Sequence, residues 1–423
     1  MFAQAGASFF SGKIQSMKSN YQLPTLAPHA NAGVTNHQLR LTTRFLLNFG
    51  LLAILLTGCQ PAAVTPDPQL AMTAAIQTAF AEITQPTQTP IPTETPIPTA
   101  TIPRTPPALP AAFSTSALNP LDTPHAYIQD SCQYLKAKWD PNNAAPGTIV
   151  MVIMFHGINK DSSSLDANDI TVKDFDKLMG SLKELGFEAI NATQLADFLD
   201  SNARIPQRSV VLTYDDRHRA EAYEHFRPYY EQWGWPVING WISAFGGDDQ
   251  FLQENVNLSK EGWVDYQAHG VIHNINIGPD STDEFIRGEL QGSIDNLQKY
   301  FGKTPIAYIW PGGGFTPRGA QVAREAGYRV GFTVNPRGPI MFNWIPLSDA
   351  SDPGRPSYIP EGPVNDPRLT LPRYWPAQVL AELDTIRIIG KEAAAYAGQN
   401  KAVELEYYDI VCAPILGALP ATP

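Results

Sequence analysis

The chain has 423 residues, 41 acidic against 30 basic side chains and a formal net charge of −11 at pH 7. No stretch concentrates Lys and Arg, which excludes nucleic acid as a partner, because phosphate binding needs clustered cations that release counterions. Three cysteines, Cys59, Cys132 and Cys412, are too few for a disulfide-stapled small scaffold or a zinc site of four thiolates.

Residues 45–56 form a dozen mostly apolar positions, preceded by Arg40 and Arg44 and followed by Thr57, Gly58 and Cys59. A membrane span needs about 20 apolar residues, whereas a basic flank, a short apolar core and small residues at the end describe a secretory signal. The ending Leu56-Thr57-Gly58-Cys59 resembles the bacterial lipobox, whose cysteine receives lipid after cleavage in front of it. Residues 1–58 are therefore expected to be an N-terminal extension with a lipoprotein signal, and Cys59 the lipidation site of an exported protein anchored to the outer face of a bacterial membrane. Residues 60–125 hold 14 of the 38 prolines and 13 threonines. Such a segment can form neither ladder nor core, so 59–125 reads as a disordered, extended Thr/Pro-rich linker. The body, 126–423, carries Cys132 near its start and Cys412 near its end. With Cys59 lipidated, these two are expected to pair as a clasp, against the alternative of two separate buried thiols.

Within the body, apolar β-rich runs at 148–155, 209–214, 236–243, 264–268, 306–310 and 329–334 alternate with helical patterns. That alternation predicts a β/α fold around a parallel sheet, in one barrel-sized domain. Phe175, Leu178, Leu182 and Leu185 mark one helix, closed by Gly186. Ile286, Leu290, Ile294, Leu297 and Phe301 mark another, opened by Ser281, Thr282 and the acidic pair Asp283 and Glu284.

Chemistry in such folds gathers at the C-terminal ends of strands. The run 210–214 ends in Asp215 and Asp216, two adjacent carboxylates that leave the strand in different directions. The run 264–268 leads into His269 and His273, spaced to share one face if they lie on a helical turn. Asp216, His269 and His273 make an Asp-His-His ligand set for a divalent metal and leave a coordination position open for water. A third element, Trp310, Pro311, Gly312 and Gly313, follows a strand, and its glycines allow a close backbone approach to a ligand.

In order, Thr213-Tyr214-Asp215-Asp216, His269 with His273, Tyr308 to Gly313, and Glu325 to Val334 resemble the polysaccharide deacetylase family, the NodB-homology or carbohydrate esterase 4 group. The first strand, ending in Phe155-His156-Gly157, and the late segment Leu371-Pro372-Arg373 resemble the branch of poly-N-acetylglucosamine deacetylases. The resemblance implies a distorted (β/α)7 barrel that removes acetyl groups from an N-acetylated glycan of peptidoglycan or poly-N-acetylglucosamine type with a bound divalent metal. Zinc comes first for that metal, with cobalt or nickel as alternatives. It assigns Asp216, His269 and His273 to the metal and Asp215 to the catalytic base. Tyr214, Trp310, Pro311, Gly312 and Gly313 are the candidates for substrate contact, with Trp375 as a stacking platform and backbone N–H groups near 311–313 as oxyanion donors.

Three departures from the family pattern stand out. Arg217 and Gly270 replace the residues common after the Asp pair and the first histidine. Trp310 stands where an arginine usually orients the base, and Arg373 is the expected substitute. All eight histidines lie at or before His273, so the late general-acid histidine is missing and His156 is the candidate. The expected partners are the glycan and, through lipid, a membrane, with the chain monomeric. The rival class is a barrel without turnover that serves as a carbohydrate-binding surface lipoprotein.

Overall fold

The apolar runs become one parallel sheet wrapped by helices. The computed structural model describes residues 104–160, 168–244 and 249–421, all within the unit Ala100–Pro423. The signal-like run, Cys59 and most of the linker lie outside the described residues.

In chain order the elements are β1 (Asp122–His125), α1 (Ser131–Trp139), β2 (Ile149–Phe155), β3 (Gly157–Asn159), β4 (Asp169–Thr171), α2 (Val172–Glu184), β5 (Glu188–Ala189), α3 (Ala192–Ser201) and β6 (Arg208–Asp215). There follow α4 (Arg227–Trp233), β7 (Val237–Trp241), α5 (Asp249–Lys260), β8 (Val264–Ala268), α6 (Asp283–Phe301), β9 (Ala307–Ile309), α7 (Pro317–Glu325), β10 (Val330–Phe332), β11 (Ile345–Ser348) and α8 (Pro376–Tyr407). Strands run in the order β10-β9-β8-β7-β6-β2, each pair parallel. β5 and β7 share one edge of β6, β5 at Ser209 and Val210, β7 from Thr213 to Asp215. Residues 371–374 join the two outer strands: Leu371 N–H donates to Gly331 O on β10, and Tyr374 N–H donates to Val152 O on β2. The result is an α/β half-barrel of seven parallel strands, β5 included, with an irregular segment along the seam.

Side-chain alternation divides the core. Ile149, Met151, Ile153 and Phe155 pack outward against Phe175, Leu178 and Leu182 of α2. Val150, Val152, Val211, Ile238, Ile309 and Phe332 form a second cluster, the barrel interior. On β6 the inward series Val211, Thr213, Asp215 therefore delivers a carboxylate to the barrel mouth, and Asp215 is 1% exposed. The helix signals act where the sequence puts them. Thr282 caps α6 through Phe285 N–H, and Gly186 adopts φ 77° after α2.

Residues before the expected boundary at 126 already pack on the body. Asp122 is buried and accepts from Arg337 and Arg355, β1 pairs antiparallel with β11, and Phe113 packs on Trp344. Once the prolines thin out, apolar and charged residues find partners, so composition alone overextended the linker. A disulfide joins Cys132 on α1 to Cys412 after α8, across a sequence separation of 280 residues. Among the described residues no helix is long and apolar enough to cross a membrane.

Candidate functional site

The site forms where β6, β8 and the 371–374 seam meet at the barrel mouth. Asp215 ends β6, and Asp216 takes φ 74°, a left-handed conformation that turns its side chain away from its neighbour's direction. Asn239 on β7 holds this turn, donating from Nδ2 to Tyr214 O at 2.9 Å and Asp216 O at 3.0 Å. No motif marks Asn239 in the sequence; a lone amide inside the apolar strand Val237–Trp241 is its signal.

Asp216 Oδ1 lies 3.6 Å from His269 Nε2 and 3.5 Å from His273 Nε2. All three ligand atoms fall within 4.8 Å of one another. The His269 Nδ1–H donates to Ile309 O at 2.8 Å, because a carbonyl only accepts, and this turns the lone pair of Nε2 into the site. Asp216 Oδ1 and His269 Nε2 are buried without a hydrogen-bond partner. Two ligands about 2.05 Å from one ion at a tetrahedral angle stand about 3.3 Å apart, so separations near 3.5 Å suit coordination better than hydrogen bonding. Burial pushes the Asp216 carboxyl up, but the neighbouring imidazoles, His269 foremost and then His273 and His156, outweigh it and hold it well below the usual carboxylate range. The donor set fits a divalent cation. The histidines do not lie on a helical turn as expected; they sit on the loop after β8, with Gly270 at φ 76°.

Arg373 reaches Asp215 from the seam. Its Nη1 donates to Asp215 Oδ1 at 2.9 Å, to Oδ2 at 2.7 Å and to Thr213 Oγ1 at 3.0 Å, while Nε donates to Thr333 O at 2.6 Å. Burial alone raises the Asp215 carboxyl; Arg373, with His269 and His156, outweighs that and holds it below the ordinary value. His156 Nε2 stands 3.8 Å from Asp215 Oδ2, and its ring stacks on Trp375 at 5.4 Å and 16°. Burial lowers the His156 pKa against the opposing pull of Asp215.

The substrate-contact candidates are largely core. Trp310 is fully buried, its indole donates to Leu369 O at 2.8 Å, and it packs edge-on to Tyr308. Tyr214 is 3% exposed and stacks on His218. Pro311 and Gly313 are buried, and only Gly312 reaches the surface. Gly313 and Gly314 N–H groups donate to Trp310 O and Pro311 O, so they are committed within the turn rather than free for an oxyanion. A Cβ on Gly312 would collide with the Asn276 side chain, and one on Gly313 with Val334. The close approach these glycines permit is therefore to the protein's own side chains.

Residues 202–331 match the family model described as polysaccharide deacetylase. The match includes Asp215, Asp216, His269, His273 and the turn at 310–313, and excludes His156 and Arg373. No curated protein sequence matches the chain. Among solved structures the chain is similar to the Streptococcus pyogenes deacetylase PplD in complex with acetate, at 20% identity over 56% of this chain and 98% of that one, with a TM-score of 0.45. IcaB from Ammonifex degensii gives 15% identity over 58% and 97%, TM-score 0.43. The BpsB deacetylase domain from Bordetella bronchiseptica gives 18% over 54% and 95%, TM-score 0.39.

Proposed function

We propose that the protein is a metal-dependent deacetylase that hydrolyses N-acetyl groups on an amino-sugar polysaccharide. The observation that carries this reading is one mouth holding two differently committed carboxylates: Asp216 with two imidazoles, and Asp215 with Arg373 and His156. The family match of residues 202–331 supports it.

Asp216, His269 and His273 would hold the ion. When bound, it supplies an acidified water and polarises the amide carbonyl. Asp215 accepts the proton of the attacking water. Because Arg373 keeps its carboxyl below the ordinary value, Asp215 is a weak base that needs an acidified donor. His156, whose Nε2 stands 3.8 Å from Asp215 Oδ2, would receive the proton that Asp215 takes from water and pass it to the departing amine, with Trp375 fixing the plane of its ring. The contact of Arg373 with Asp215 supports turnover despite the arginine missing at 310.

The finer reading takes zinc as the ion, with cobalt or nickel as alternatives, and a glycan of poly-N-acetylglucosamine or peptidoglycan type. It places the protein at the bacterial cell surface through lipid on Cys59, supported by the ending Leu56–Cys59 of the signal-like run. The test measures bound metal in the full chain and acetate release from N-acetylglucosamine oligomers, with and without chelator. Metal-dependent release that disappears in Asp215→Asn is expected. Release that persists in Asp215→Asn, or a chain that takes up no divalent metal, sinks the reading.

A further inference from the structure

The two histidine ligands sit on a loop, so helical periodicity does not aim them. Three residues, 270–272, lie between them, and a loop of that length has many conformations that would point His273 elsewhere. Something must select the one observed.

Glu289 lies on the buried face of α6 and is 3% exposed. Its carboxylate accepts the Val271 N–H at Oε2 (2.7 Å) and the Ile272 N–H at both oxygens (3.1 and 3.0 Å). Among the described residues no Lys, Arg or His forms an ion pair with it; backbone N–H groups are its partners. The opposite edge of the loop is held as well: Ser243 and Ala244 N–H groups donate to Gly270 O and Val271 O. Gly270 makes the arrangement possible. A Cβ there would lie 2.7 Å from Glu289 Oε2 and 3.0 Å from Pro311 Cγ, and the residue's φ of 76° disfavours any side chain. A buried carboxylate without a cation is costly unless hydrogen bonds satisfy it. Here the bonds that satisfy it belong to the two residues immediately before His273.

We propose that Glu289 is a positioning residue for the metal centre: its carboxylate clamps the loop between His269 and His273 so that both Nε2 atoms converge with Asp216, and Gly270 supplies the room for it. Glu289 touches neither ion nor substrate and acts through the backbone of 271 and 272. The inference rests on the metal-binding reading above and concerns how that site is built.

The test titrates Co²⁺ into the metal-free full chain and follows its visible absorption, for wild type, Glu289→Gln and Glu289→Ala. Outer-shell partners of metal ligands typically contribute about 10–100-fold in affinity. Glu289→Ala should weaken the apparent Kd by about that factor and alter the band, which a purely structural role would not do. Glu289→Gln keeps one acceptor but turns an N–H₂ towards the second N–H, and should fall between the two. It also serves as the reporter should the alanine variant not fold. A wild-type spectrum and Kd in either variant overturns the proposal. A wild-type chain that binds no Co²⁺ overturns instead the metal reading beneath it, so the two failures are distinct.

Discussion

Replacing Arg373 with methionine tests how Asp215 is held. Both side chains are 1% exposed, and Nη1 lies 2.7 Å from Oδ2. Methionine fills much of the same volume but leaves a carboxylate in the barrel with no guanidinium. Removing one partner of a buried pair costs about 3–5 kcal/mol, because the remaining charge is uncompensated. A packed unit of roughly 320 residues unfolds with about 2.1 cal/mol/K of entropy per residue, so that loss corresponds to a fall in Tm of about 5–7 °C.

The pH dependence fixes the cause. Arg373 outweighs burial and depresses the Asp215 pKa in the folded state. A depressed carboxylate contributes stability above its unfolded value, about 4, and loses it as pH falls through the folded value. Without the guanidinium, burial raises the Asp215 carboxyl in the variant, so the Tm gap between wild type and Arg373→Met should be largest at neutral pH and above, close as pH falls through the variant's raised value, and shrink further below about pH 4. Calorimetry in the presence of chelator reads this without a contribution from metal. A gap under about 1 °C at neutral pH, or one of equal size near pH 3.5, refutes the argument that Arg373 stabilises the ionised base.

Three further outcomes are expected. His156→Gln should lower turnover by about 10²–10⁴-fold while leaving Co²⁺ affinity at the wild-type value; unchanged turnover removes His156 as the proton donor. Trp310→Phe leaves Leu369 O without its buried donor and should cost about 1–3 kcal/mol in thermal stability without altering KM, whereas a raised KM would return Trp310 to the substrate. Replacing Cys132 and Cys412 with serine opens a 280-residue loop and should cost about 2–5 kcal/mol; an unchanged Tm in non-reducing buffer would deny the clasp a role in stability.

What the sequence made legible follows from which physics is local. The strand runs declared themselves because β2 and most of β6 are buried on both faces and read as apolar stretches; Val264–Ala268 has the predicted bounds although Asp265 and Gln267 interrupt it. Caps such as Thr282 and Gly186 are short-range and were equally readable. The aromatic and glycine-rich segment misled, since a glycine reports close approach without saying to what, and here Asn276 and Val334 are the neighbours. Asn239 and Glu289 carry no sequence motif because their partners are backbone groups 23 to 25 and 17 to 18 residues away, which no spacing rule encodes. Glu289 did leave a trace, a carboxylate between Ile286 and Leu290 on the apolar stripe of α6.

The adjacent pair Asp215 and Asp216 shows how one strand end serves two chemistries. Like charges on neighbouring residues would ordinarily push one pKa up, yet here both carboxyls are depressed. The inward alternation of Val211, Thr213 and Asp215 sends the first carboxylate to a cation on the seam, while the positive φ of Asp216 swings the second towards the imidazoles beyond β8. The strained residue is thus what separates the two charges and lets each find its own counter-charge. Arg373 belongs to the segment that bridges β10 and β2, so the group holding the base also lies in the joint between the sheet's two outer strands. A change that loosens residues 371–374 should consequently disturb Asp215 before it disturbs the Asp-His-His cluster, because that cluster is fixed through β7, β9 and α6 instead.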